Sequence, residues 1–166
     1  MIRNTFLTAI ILFSLCSCKS EKPDRYTKNC AEIDLLRKGM VYYENGEWEK
    51  WESQYTDSAK IYQNTWLDHT TPAETRKKHE ALLANFSSYG FEREDLSMER
   101  IINDKGKMWV NSWGLWRGTL NHNNQTIEIP IHLTVEFVDG KIVQEIGLWD
   151  TAPLKEALDN LDYAAK

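Results

Sequence analysis

The chain has 166 residues, 27% of them charged and 42% hydrophobic, with a formal net charge of −5 and a mean hydropathy of −0.56; that is the size and polarity of one soluble domain with its own core. Three cysteines are too few for a disulfide framework, and a pI near 5.4 argues against nucleic acid, whose phosphates need a basic stripe. Seven tryptophans beside seven tyrosines leave two uses open, core filling or the lining of a ligand cavity.

Residues 1–20 differ from the rest. Arg3 gives a short positive start, Phe6 to Leu15 is an almost uncharged run of about ten residues, and Leu15-Cys16-Ser17-Cys18 follows. The run is too short for a transmembrane helix, which takes about 20 residues, and has the form of an export signal. Its end resembles the lipobox of bacterial lipoproteins, with Leu15 at −3, the small Ser17 at −1 and Cys18 as the lipidated residue. That resemblance implies cleavage after residue 17, a diacylglyceryl group on the Cys18 sulfur and an acyl chain such as palmitate on its amino group. Several acyl chains, at about 0.8 kcal/mol per buried CH₂, would hold the protein in the bilayer at the cell envelope. Secretion with cleavage elsewhere is the alternative. The expected division is a signal at 1–17, a lipidated tether at 18–28 and a folded domain at 29–166. Cys30 is then the only cysteine of that domain, and it is read as a small apolar residue.

From Ala31 the apolar spacing is helical, with Ile33, Leu36, Met40 and Tyr43 on one stripe until Asn45-Gly46. Trp48, Trp51 and Tyr55 repeat that spacing in a shorter helix, and Ala59 to Asn64 alternates as a strand. Thr71-Pro72-Ala73-Glu74 is a capping box with proline at the first helical position, so a third helix starts there. It is expected to present Leu82, Leu83, Phe86 and Tyr89 and to end at Gly90. Beyond Gly90 the period changes to two. Strands are expected over 94–102, 107–120, 126–138 and 141–149, with turns at Asp104-Lys105-Gly106 and Asp139-Gly140. Asp150-Thr151 and Pro153 open a last helix with Leu154, Leu158 and Leu161 on one face. The expected class is α+β, with about three N-terminal helices packed on the concave face of a curved antiparallel sheet and a short helix closing the chain.

This order, with Asp139-Gly140-Lys141-Ile142-Val143 running to Trp149-Asp150 and the early stretch Gly46-Glu47-Trp48-Glu49-Lys50-Trp51 to Tyr55, resembles the nuclear transport factor 2-like superfamily, and within it the SnoaL-like branch. The resemblance covers roughly residues 31–161. It implies a cone-shaped fold with a cavity between helices and sheet, and a convex sheet surface that commonly forms a homodimer interface. The superfamily includes dehydratases, cyclases, isomerases and non-catalytic binding modules, so activity must be argued from the site.

With regular hairpins, Trp113 pairs Leu133 and Val135 pairs Gln144. Trp109, Asn111 and Trp113 then share the core face with Gln144 and the helical Tyr43. Two amides among aromatic rings need partners, because an unpaired buried amide costs roughly 1–3 kcal/mol. These five residues are the candidate ligand-binding set for a small, partly apolar molecule; amides satisfied within a plain core are the alternative. The opposite face brings His132 diagonal to Glu145, a general-base arrangement if it lines a pocket and an interface pair if it lies on the convex side. A one-residue bulge would exchange the faces. His69 and His122 fall in loops, and His79 stands alone one turn before Leu82 and Leu83. Where steroid isomerases of the superfamily carry a catalytic aspartate, this chain has Gln63 and Asn64, and an amide abstracts no proton. Asp68-His69 is a loop-borne dehydratase candidate. No cofactor or metal is expected. The expected function is an anchored domain that binds a small molecule. A SnoaL-like enzyme of cyclase, hydratase or isomerase type, and a protein-interaction module on the convex sheet, are the alternatives.

Overall fold

A computed structural model describes residues 24–164, with side chains described to residue 159. The expected export signal, Cys18 and the Leu161 side chain lie outside the described residues. The order is β1 (Tyr26–Thr27), α1 (Ala31–Glu44), α2 (Trp48–Glu52), β2 (Tyr55–Gln63), α3 (Pro72–Leu83), β3 (Phe86–Phe91), β4 (Ser97–Ile102), β5 (Met108–Leu120), β6 (Thr126–Val138), β7 (Lys141–Trp149) and α4 (Ala152–Ala164).

The strands form one seven-stranded sheet ordered β1-β4-β5-β6-β7-β2, with β3 also paired to β5. All pairs are antiparallel except β2 with β7. The long β5 carries β4 along its first half and β3 along its second. Ile33, Leu36 and Met40 of α1, Trp48 and Trp51 of α2 and Leu83 of α3 are buried against the sheet in one core with Val110, Trp116, Val135 and Ile142. The α+β architecture, helices on the concave side of an open curved sheet, is as expected.

α3 begins as the sequence dictates: Thr71 Oγ1 accepts from the Glu74 amide at 3.2 Å, and the Glu74 carboxylate accepts from the Thr71 amide at 2.8 Å. It ends earlier than expected. Phe86 and Tyr89 belong to β3, and their helix-like spacing comes from a register shift between Phe86 and Ser88 that puts both on the concave face. Tyr26 and Thr27, within the expected tether, pair Ile101 and Arg100 at the sheet edge.

Two hairpins decide which side chains meet. At the first, the Leu120 amide donates to the Gln125 carbonyl at 2.9 Å, closing a four-residue turn with Asn124 at φ 56°. Trp113 therefore pairs His132, one residue short of the expected Leu133. At the second, Asp139 (φ 49°) and Gly140 (φ 73°) make the expected two-residue turn with both residues left-handed. A bulge at Val143 then shifts the register, so Val135 pairs Glu145 rather than Gln144. Each change of one residue turns a strand over relative to its neighbour.

Candidate functional site

The two register changes correct the expected site. Trp116 joins Ile129, Ile131 and Leu133 on the concave face, and Glu145 and Trp149 join them from β7. Trp109, Asn111 and Trp113 lie on the convex face instead. Asn111 Nδ2 donates to Glu99 Oε1 at 3.3 Å, and Trp113 is 40% exposed. Gln144 pairs Glu136 in register and, like the other three, is absent from the cavity wall. The candidate acid–base pair is separated as well: His132 stacks on Trp113, ring centroids 5.0 Å apart, while Glu145 faces the cavity. Of the five candidate ligand residues, Tyr43 alone lines the cavity.

The cavity holds about 120 Å³. Leu36, Met40 and Tyr43 of α1 close it from one side, Trp51 and Tyr55 from the α2–β2 junction, and His79 and Leu82 from α3. Room for the indoles comes from glycines on the same face. A β-carbon on Gly118 would collide with the Trp116 ring and lie 2.7 Å from Phe86, and one on Gly147 would collide with the Trp149 ring. The Trp116 Nε1–H donates to the Tyr43 hydroxyl at 3.2 Å, tying α1 to β5.

Two polar pairs stand in this mostly apolar wall. The Tyr55 hydroxyl donates to Glu145 Oε2 at 2.6 Å, and Glu145 Oε1 makes no hydrogen bond among the described residues. Burial raises the Glu145 carboxyl above the ordinary carboxylate range, the Tyr55 hydrogen bond opposing in part. Burial likewise raises the Tyr55 hydroxyl, helped by the Glu145 charge, and the Tyr43 hydroxyl. On the other side His79 Nε2 lies 3.0 Å from the Gln63 amide nitrogen. With that nitrogen as donor, the imidazole is neutral and its proton sits on Nδ1, which is buried and unpaired. Burial lowers its pKa to about 4. The Trp51 ring separates the two pairs, 6.2 Å from His79 and 4.6 Å from Tyr55 by centroids. Such a site offers a buried carboxyl with one oxygen free of protein donors, further acceptor oxygens and aromatic walls. His69, an exposed loop residue, packs on Tyr62. Among the described residues no three His, Cys, Asp or Glu side chains come together as a metal site requires.

His79 was detectable from its place on the Leu82–Leu83 stripe of α3. Glu145 was not, because the bulge at Val143 carries no glycine or proline signal.

No protein-family model matches the chain, and no curated protein sequence matches it. Solved structures do. A candidate SnoaL-like polyketide cyclase from Shewanella putrefaciens superposes with a TM-score of 0.61 at 13% identity, covering 80% of this chain and 88% of that one. A candidate isomerase from Bacillus subtilis gives 0.61 at 16%, covering 77% and 92%. IdmH, a candidate polyketide cyclase from Streptomyces antibioticus, gives 0.62 at 15%, covering 78% and 99%. The fold is the cone-shaped nuclear transport factor 2-like arrangement of SnoaL-like proteins.

Proposed function

We propose that this is a lipid-anchored protein of the cell envelope whose domain binds a small, largely apolar molecule in the cavity between helices and sheet. The observation that carries the reading is a cavity of about 120 Å³ walled by aromatic and aliphatic side chains, into which the buried Glu145 residue brings a carboxyl oxygen that makes no hydrogen bond among the described residues. Apolar cavities of roughly 150 Å³ take up a benzene ring, so the ligand has the size of one ring, well below the 300–1,000 Å³ of sites for drug-sized ligands. Benzyl alcohol is the test probe. Its titration should quench tryptophan fluorescence from Trp51 and Trp116 and raise the melting temperature, by mass action on the folded state. Neither change at saturating probe would overturn the reading.

A second reading is supported by the Tyr55–Glu145 pair. A buried carboxyl whose pKa is raised by burial is a candidate for proton transfer, and this chemistry is what a SnoaL-like cyclase, hydratase or isomerase would use. Here the acid is Glu145 acting with Tyr55, since His132 is on the other face. The convex row of Trp113, His132 and Leu148, the outer two 40% and 42% exposed, favours a homodimer through that surface. Light scattering after size-exclusion chromatography should give twice the monomer mass, and Trp113→Lys should halve it.

A further inference from the structure

The wall of the cavity is unbalanced in charge. Its single carboxyl is Glu145, and no lysine or arginine lines it. Three side-chain oxygens in the wall, Glu145 Oε1, Gln63 Oε1 and Gln54 Oε1, have no hydrogen-bond donor among the described residues, because Gln63 and Gln54 use their amide nitrogens on His79 and on the Leu35 carbonyl. Ile61 pairs Glu145 and Gln63 pairs Gly147, so Gln63 is the diagonal neighbour of Glu145, two residues along the adjacent parallel strand on the same face. Among the described residues the Tyr43 hydroxyl proton, the Trp51 and Trp149 indole N–H groups and the buried His79 Nδ1 have no acceptor. The rest of the wall is rings and aliphatic carbon.

An anionic ligand would meet Glu145 with no counter-charge in the wall. A neutral ring would leave the acceptor oxygens unpaired, at a cost of roughly 1–3 kcal/mol for each one dehydrated. A protonated amine meets every feature: its N–H groups satisfy the acceptors, its charge compensates the buried carboxylate, and its carbon lies against aromatic faces that attract cations. Resting on the reading of this cavity as a ligand site, we propose that its ligand class is a small organic ammonium ion of about one ring in size, with the charged nitrogen against Glu145 Oε1 and its substituent among Tyr43, Trp51 and Trp116. Glu145 gives its proton to solvent when such a cation enters, and the Tyr55 hydroxyl continues to donate to Oε2.

The pH dependence follows from the groups that face Glu145. Burial keeps the carboxyl protonated to higher pH than usual, Tyr55 and Tyr43 stay neutral because their hydroxyls are raised, and His79 stays neutral above a pKa of about 4. Affinity for a cation therefore rises with pH through the ionisation of Glu145 alone, and affinity for a neutral isostere does not.

The experiment compares benzylammonium, benzyl alcohol and benzoate, near-isosteres differing in charge, by calorimetric titration of the intact domain from about pH 5 to about pH 8. Benzylammonium should bind about tenfold or more tighter than benzyl alcohol at the upper end, release a proton that a change of buffer reveals, and weaken as pH falls, with benzoate not binding. Glu145→Gln should remove the preference while keeping the alcohol. Equal binding of alcohol and ammonium, or a preference for ammonium that is independent of pH in the unmodified protein, overturns the proposal and leaves the cavity reading standing. Failure of all three probes overturns both.

Discussion

Glu145 and His79 share one cavity and respond to acid in opposite senses. Burial lowers the His79 pKa to about 4 from the ordinary imidazole value of 6.5, so between these values the unfolded chain binds the extra proton. Stability held above 6.5 is lost as the pH falls, by on the order of 3 kcal/mol in all at one unit per 1.36 kcal/mol. Glu145 is the reverse. Its raised carboxyl means the folded state holds the proton longer than the unfolded chain, and stability is lost as pH rises from the ordinary carboxylate range through the folded value. Urea midpoints measured from about pH 4.5 to pH 7.5 separate the two. His79→Gln should flatten the acid limb. Glu145→Gln should be more stable than the parent at the alkaline end and equal to it at the acid end; profiles that run parallel to the parent would contradict both assignments. His79 was within reach of the sequence, since it falls on the apolar stripe of its helix. Glu145 was a recognisable acid whose position was not readable, because the side it faces depends on Val143 occupying no place in the ladder.

Among the elements, α3 was legible at its start because capping chemistry is local: Thr71, Pro72 and Glu74 lie within one turn. Thr71→Ala removes the hydroxyl that accepts from the Glu74 amide while keeping the Thr71 amide that donates to the Glu74 carboxylate; it should lower stability by about 1 kcal/mol, with Thr71→Ser recovering most of it. β3 was not legible, since a bulge gave Phe86 and Tyr89 a helical spacing and only pairing with β5 distinguishes the two. The strands themselves were legible from their period of two, but register was not, because a four-residue turn and a five-residue turn look alike in an asparagine-rich tip. Two glycines with different physical reasons provide an element-scale test. Gly147→Ala drives a methyl into the Trp149 ring, with Leu133 at 3.1 Å; it should cost about 1–3 kcal/mol through overpacking and weaken benzyl alcohol binding, because both neighbours line the cavity. Gly140→Ala meets nothing within 4 Å but sits at φ +73°; it should cost about 1 kcal/mol through backbone strain and leave the probe affinity unchanged. Equal effects of the two on probe binding would show that the Trp149 wall does not shape the cavity.

For the whole molecule the decisive relation is between the chain's proposed anchor and the edge of its sheet. No described helix is long and apolar enough to cross a membrane; in the proposed anchored form, the link to the bilayer is Cys18. The chain joins the sheet at β1, where the Arg25 guanidinium reaches the Ile102 carbonyl at 3.2 Å and Asp104 at 2.7 Å. Seven residue steps separate Cys18 from Arg25, and at most about 3.6 Å each they reach about 25 Å. A lipid on Cys18 would therefore keep the β1–β4 edge and the turn at Asp104 within that distance of the headgroups. β2 is the opposite edge of the sheet, so the exposed Trp66 and Leu67 in the loop after it would be farther from the surface. Cys18→Ala should abolish labelling by palmitate and move the protein from the detergent phase to the aqueous phase. In the lipidated protein a fluorophore placed at Asp104 should be quenched by headgroup-labelled lipid, and one placed at Asp68 much less. Continued membrane retention of Cys18→Ala would remove the anchor, whereas equal quenching at both positions would keep the anchor and remove the orientation.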